Sequence, residues 1–338
     1  MALEVIYVTR HGFRSSWRVD PTNGKYTTFI KSPTGGDADP GLTAHGVNQA
    51  NELAGRLLSA DPPIERVYSS LYYRCLQTVE PFVRKAQATA PGAPLVIRGE
   101  TGIGEWYGAA HFEHPVPASL ETLDPLFPGL IDPEYRPAVK PSRMGEGIME
   151  LHDRVATAME ALIAECDRDG VRAILLCSHA ATIIALGRVL TGQMPDNVEV
   201  EDFRVFTCGL SVFRRRPSLV SEPMGASAVM RIASPKDGVV AQLGATDARN
   251  ADHHDQDGEV LGWTRGRGVS GGWDCELNSD CAHLSLGEER GWKFAGDESF
   301  KDIPTGQSIL NTGIRSDGGG EGPGSLGARA EEGARGKL

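Results

Sequence analysis

Two apolar runs that each stop at a histidine restrict the fold of this chain more than any other feature. The first is Val5-Ile6-Tyr7-Val8-Thr9-Arg10-His11-Gly12, and the second is Arg172-Ala173-Ile174-Leu175-Leu176-Cys177-Ser178-His179. Short aliphatic runs without polar alternation fit strands that are covered on both faces, as in a parallel sheet. Gly12 then lets the backbone turn sharply where the first strand ends. Helical periodicity fills the spaces between such runs. Leu53, Leu57 and Leu58 recur at helical spacing over 47–58, with Thr43 as N-cap, and Pro62-Pro63 ends that helix. Residues 71–85 form a second helix, and 145–168 a long amphipathic one around Met149, Val155, Met159, Leu162 and Ile163, stopped by Gly170. A fourth helix, over 180–190, follows the second histidine, and further strands are expected over 64–70, 95–98 and 202–214. Strands alternating with helices in this way call for an α/β protein with a mostly parallel sheet. Residues 15–41 read as a polar loop beside the site, able to act as a substrate-facing lid, and 109–141 as an irregular insertion with one or two short helices.

A length of 338 residues suits two domains, or one domain with an extension; glycine becomes dense only towards the C-terminus, which favours the second. The expected divisions are an α/β domain over 1–217, a linker over 218–260, a small Trp/Gly-rich unit of irregular or β character over 261–300, and a disordered tail over 301–338. In the small unit Trp263, Trp273 and Trp292 would form a minor core. A net charge of −11 argues for solubility and against direct nucleic-acid binding. Arg214-Arg215-Arg216 fits an exposed strand end better than a DNA contact. The six cysteines are scattered, with no C-x-x-C pair, and read as reduced residues of an intracellular protein, nuclear or cytoplasmic. Glu4 interrupts any secretory leader, and the apolar run over 180–190 is too short to span a membrane, so no membrane association is expected.

Taken alone, Arg10-His11-Gly12 would fit the end of an ordinary strand better than it fits a site. Three separated features change that: Ser69-Ser70-Leu71-Tyr72-Tyr73-Arg74 at a strand–helix junction, Glu105 in the loop after the third strand, and Ser178-His179. If the strands are neighbours, His11, His179, Arg10, Arg14, Arg74 and Glu105 meet at one edge of the sheet, where open α/β folds bind ligands. Arginine forks and helix N-termini select a phosphoryl group. A neutral imidazole can attack phosphorus near neutral pH, a second histidine can stabilise the developing charge, and a partly buried carboxyl such as Glu105 can protonate the leaving oxygen and then serve as base for water. This chemistry requires no cofactor and no metal.

The motifs Arg10-His11-Gly12, Leu42-Thr43-x-x-Gly46-x-x-Gln49-Ala50, Ser69-Ser70 with Arg74 and Gln77-Thr78, and Ser178-His179 stand in the order found in the histidine phosphatase superfamily, and the stretch from Ala2 to Arg214 resembles that family. The resemblance implies a phosphoglycerate-mutase-like three-layer sandwich, with His11 as the nucleophile that becomes phosphohistidine, Arg10, Arg74 and His179 in the phosphate pocket, and Glu105 as general acid. Mutases follow Arg-His-Gly with Glu-Ser, whereas Phe13-Arg14 follows here; Arg14 resembles the extra phosphate-binding arginine of phosphatase branches. The implied activity is hydrolysis of a phosphorylated small molecule or protein. Tyr72 to Val79, Gly102 to Tyr107, His179-Ala180-Ala181 and Leu284 to Phe294 are similar, more narrowly, to the histidine phosphatase branch of small tau subunits in fungal transcription factor IIIC. That similarity implies a second role, as an assembly subunit that pairs with a larger subunit of the complex.

Overall fold

The computed structural model describes residues 2–89, 95–217, 262–296 and 299. The expected linker, the expected tail, and His253 and His254 lie outside the described residues. In chain order the elements are β1 (Val5–Arg10), β2 (Trp17–Asp20), β3 (Lys25–Thr28), α1 (Ala44–Leu57), β4 (Arg66–Ser69), α2 (Tyr73–Thr89), β5 (Ile97–Gly99), α3 (Leu120–Leu123), α4 (Ile148–Asp169), β6 (Ala173–Ser178), α5 (Ala180–Thr191), β7 (Leu210–Arg215) and β8 (Trp273–Asp280).

The sheet order is β5-β4-β6-β1-β7-β8. Strands β5, β4, β6 and β1 run parallel, and β7 and β8 add two antiparallel strands on the other side of β1. Both β1 and β6 are buried along their whole length, as the unbroken apolar runs require. Alternate residues of β1 serve different layers. Ile6 and Val8 pack with α4 and α5, while Val5 and Tyr7 pack with α1 and α2. The result is the expected three-layer α/β sandwich with a mostly parallel sheet. Arg10 pairs with Ser178 at the ends of β1 and β6, so His11 and His179 leave the sheet side by side.

Helix α1 starts where the sequence places it: the Thr43 hydroxyl accepts from Gly46 N at 3.1 Å. Gly46 is required there because a Cβ would lie 2.0 Å from the Phe13 carbonyl oxygen. This contact presses α1 against the loop that follows His11.

Three expectations change. The polar loop over 15–41 contains a hairpin, β2 paired with β3, closed by a turn in which Asp20 accepts from Thr22 N and Asn23 Nδ2. The strand expected over 202–214 begins at Leu210, because the backbone before it is held by side chains instead of a ladder: Arg204 N donates to Asn278 Oδ1 and Phe206 N to Ser279 Oγ. The expected small C-terminal β unit is present, and among its described residues the strand is β8, which joins the main sheet beside β7. Trp263 and Trp273 enter the α4/α5 layer of the main core instead of building one of their own, and Trp292 packs at its margin. So short a segment has too much surface for its volume to bury such side chains alone.

Arg214, Arg215 and Arg216 do form a strand end, and each meets a carboxylate, Glu276, Asp167 and Asp274, at 2.6, 2.7 and 2.7 Å. Among the described residues no helix is long and apolar enough to cross a membrane.

Candidate active site

At the end of β1 the His11 side chain is 1% exposed. Its Nδ1 lies 2.9 Å from the Gly12 carbonyl oxygen, which can only accept, so Nδ1 carries the proton and Nε2 the lone pair. Nε2 is buried and has no hydrogen-bond partner among the described residues. The loop beyond is fixed by both helices of its layer: Gly12 N donates to Thr78 Oγ1 at 3.0 Å and Phe13 N to Gln49 Oε1 at 2.9 Å. Burial, and then the guanidinium groups of Arg74, Arg14 and Arg10, hold the His11 imidazole well below the ordinary histidine range. It is therefore a neutral base surrounded by cations.

Arg74 opens α2 and is fully buried. Its Nη2 donates to Glu105 Oε2 at 3.0 Å, its Nη1 donates to the Ala38 carbonyl at 3.2 Å and faces Asp39 Oδ1 at 3.3 Å, and its guanidinium lies 4.4 Å from the centre of the Tyr72 ring. Its Nε is buried and has no partner among the described residues. His179, the N-cap of α5, has Nε2 2.8 Å from Ser70 Oγ and Nδ1 3.1 Å from Glu105 Oε2. Burial pulls its pKa down, but the Cys75 sulfur and the Glu105 carboxylate on either side outweigh that, and the net direction is upward. Burial works against the Glu105 charge too, yet His179, Arg74 and Arg14 hold its carboxyl well below the usual range. The two imidazole rings meet edge to face with centroids 5.4 Å apart.

Arg10 and Arg14 are each 1% exposed. Arg10 Nη1 donates to the carbonyls of Val205 and Arg290, and Arg14 Nη1 to that of Ser15, with the Arg14 guanidinium 5.9 Å from the Trp17 ring centre. All six residues singled out in the sequence thus gather at the C-terminal ends of β1, β4 and β6. Among the described residues no group of three or more His, Cys, Asp or Glu side chains could hold a metal ion.

The family model for the histidine phosphatase superfamily (branch 1) matches residues 6–220. This chain belongs to that superfamily. It is 36% identical over 220 residues to the transcription factor tau 55 kDa subunit of Saccharomyces cerevisiae, an alignment covering 63% of this chain and 48% of the relative. It is 28% identical over 215 residues to the ecdysteroid-phosphate phosphatase of Drosophila melanogaster, covering 56% of this chain and 27% of that protein. The chain therefore spans less than half the length of these curated relatives. The crystal structure of the Bombyx mori ecdysone phosphate phosphatase in complex with tungstate aligns at 23% identity, over 72% of this chain and 98% of that one, with a TM-score of 0.48.

Several residues that hold this site were given no role of their own in the sequence. Asp39, in the polar loop, accepts from Tyr73 N at the start of α2 and pairs with Arg74. Ser70 touches His179, and Thr78 and Gln49 hold the loop after His11; both stand in the matched motifs, but nothing local to them announces a role. Trp106 is a core residue 6% exposed, packed on Phe294 and donating to the Glu146 carbonyl. The aromatic neighbours of the site are Trp17, Tyr26, Tyr72 and Tyr107, the first two supplied by the hairpin.

Proposed function

We propose that this chain is the histidine phosphatase part of a transcription factor IIIC assembly subunit, and that its site hydrolyses phosphomonoesters through a phosphohistidine on His11. The 36% identity to a transcription factor tau subunit carries the first half of this reading. A larger subunit of the complex would be the partner. Purification of the full chain from its own cells is expected to bring such a subunit along, and to do so equally with His11→Ala, since assembly does not use the nucleophile. Recovery as a free monomer would overturn this half.

The second half is carried by the bare, buried Nε2 of His11 among three arginines. Nε2 attacks phosphorus, forming the N–P bond as the ester P–O bond breaks. Arg10, Arg14, Arg74 and protonated His179 take up the charge on the other phosphoryl oxygens. The leaving oxygen receives a proton from Glu105. In the resting site that carboxyl is ionised by Arg74 and His179. A bound dianion neutralises the same cations, which lets Glu105 gain its proton as substrate enters. Glu105, left as carboxylate, then takes a proton from water; the water oxygen attacks phosphorus, and His11 and inorganic phosphate are released. The substrate would be a phosphorylated small molecule or protein. Hydrolysis of an aryl phosphate without added metal is expected from the parent chain and not from His11→Ala; equal rates would refute the mechanism.

A further inference from the structure

After β8 the chain crosses the site. Leu284 packs in the α1/α2 layer and Phe294 in the α4/α5 layer, so the strap between them is pinned at both ends. At its middle Glu289 accepts from Thr207 N through its carbonyl, and from Gln49 Nε2 and His45 Nε2 through Oε2. Gln49 is the side chain whose other amide atom holds Phe13 N. The next residue reaches the same loop directly. Arg290 Nη1 donates to the Arg14 carbonyl at 3.0 Å, its guanidinium lies 3.7 Å from the centre of the Phe13 ring, and its own carbonyl accepts from Arg10 Nη1. Arg290 does this with φ +49°, a left-handed conformation that a residue with a side chain adopts only when its surroundings impose it.

We propose that Glu289 and Arg290 are positioning residues of the active site, setting the Phe13-Arg14 backbone and the Arg10 guanidinium, and that the phosphate pocket is incomplete without them. The family model ends at residue 220, so these groups are supplied from outside the matched region. Neither touches His11. Their removal leaves the nucleophile in place and loosens the arginines around it, so phosphate binding suffers more than the chemical step. The inference rests on the phosphatase reading for its kinetic consequence but not for its structural one, and the two are separable by experiment.

In the full chain, Arg290→Ala and Glu289→Gln are compared with the parent by hydrogen exchange and by aryl phosphate hydrolysis. Exchange in a peptide covering residues 11–16 is expected to quicken about tenfold in both variants, while a peptide covering β6 keeps the parent rate. KM is expected to rise about tenfold with a smaller change in kcat, and Arg290→Lys, which keeps the charge but not the fork, to recover part of it. Unchanged exchange at 11–16 in both variants overturns the proposal whatever the activity, as does a loss confined to kcat. A parent chain that hydrolyses no phosphomonoester refutes the phosphatase reading, while the exchange result still decides the positioning role.

Discussion

His11 and His179 follow neighbouring parallel strands at the same register, one residue beyond the Arg10–Ser178 pair, yet their surroundings drive them apart. Burial and the surrounding guanidinium groups lower the His11 pKa; His179, although buried and also beside Arg74, has the Cys75 sulfur and Ser70 at one nitrogen and Glu105 at the other, and Cys75 and Glu105 raise its pKa. One is a neutral lone pair and the other a ready cation. The fold thus gives two otherwise equivalent positions opposite protonation tendencies by what packs around them, which is what the proposed division between nucleophile and charge stabiliser needs.

The bluntest way to break that comparison is to delete each ring. His11→Ala should reduce aryl phosphate hydrolysis to the uncatalysed background, because no other nucleophile occupies its place. His179→Ala should leave a residual rate, lower by about 10²- to 10³-fold, the usual cost of one charge-stabilising donor. Equal losses in single-turnover assays would mean that the two rings are not divided in role.

A subtler break acts through Glu105. Glu105→Gln removes one of the groups that raise His179 and one that Arg74 holds, and it removes the proposed acid. A fall of about 10²- to 10⁴-fold is expected for alkyl esters, which need a protonated leaving group, and a much smaller one for aryl esters. The alkaline limb of the rate profile should also move to lower pH, since His179 loses its proton earlier. A uniform loss across leaving groups would remove Glu105 from the role of acid.

What the sequence showed of this pair, and what it hid, follows from range. Val5 to Val8 and Ile174 to Cys177 are unbroken apolar runs, so both central strands and both histidines were legible from local pattern alone. Strands β2 and β3 span four residues each, too few for alternation to stand out among prolines and glycines. Asp39 is one acidic residue in a polar loop, and only the folded start of α2 distinguishes it. Glu289 lies 240 residues from Gln49, and no periodicity reports a contact made by a strap returning across the sheet. Trp263 and Trp273 looked like a separate minor core because they cluster in sequence; their common burial against α4 and α5 is a tertiary fact.

A smaller perturbation separates the two histidines by position. Gly46→Ala would drive a methyl group into the Phe13 carbonyl, and the loop after His11 must shift to admit it. The expected cost is about 1–3 kcal/mol in chemical denaturation. The loss of activity should trace first to the His11 side of the site, because Gly46 lies against the Phe13 carbonyl in the loop after His11. Unchanged stability would mean that α1 can back away from the loop freely.

The smallest effect is the most direct reading of the comparison, a titration of both rings by imidazole NMR in the unliganded protein. The His11 shift is downward, so its neutral form persists as pH falls through the ordinary histidine value of about 6.5, whereas a solvent-exposed ring would already be mostly protonated one pH unit lower. The His179 shift is upward, so its cation persists as pH rises through the same value. Between the two transitions lies a window in which His11 is neutral and His179 charged, the single protonation state that the proposed attack requires. Glu105→Gln should narrow that window from its alkaline side, and Arg74→Gln should move both edges upward, because Arg74 is the first of the cations that hold His11 down and also lowers His179. Two rings titrating together near 6.5 would dissolve the division of labour on which the mechanism depends.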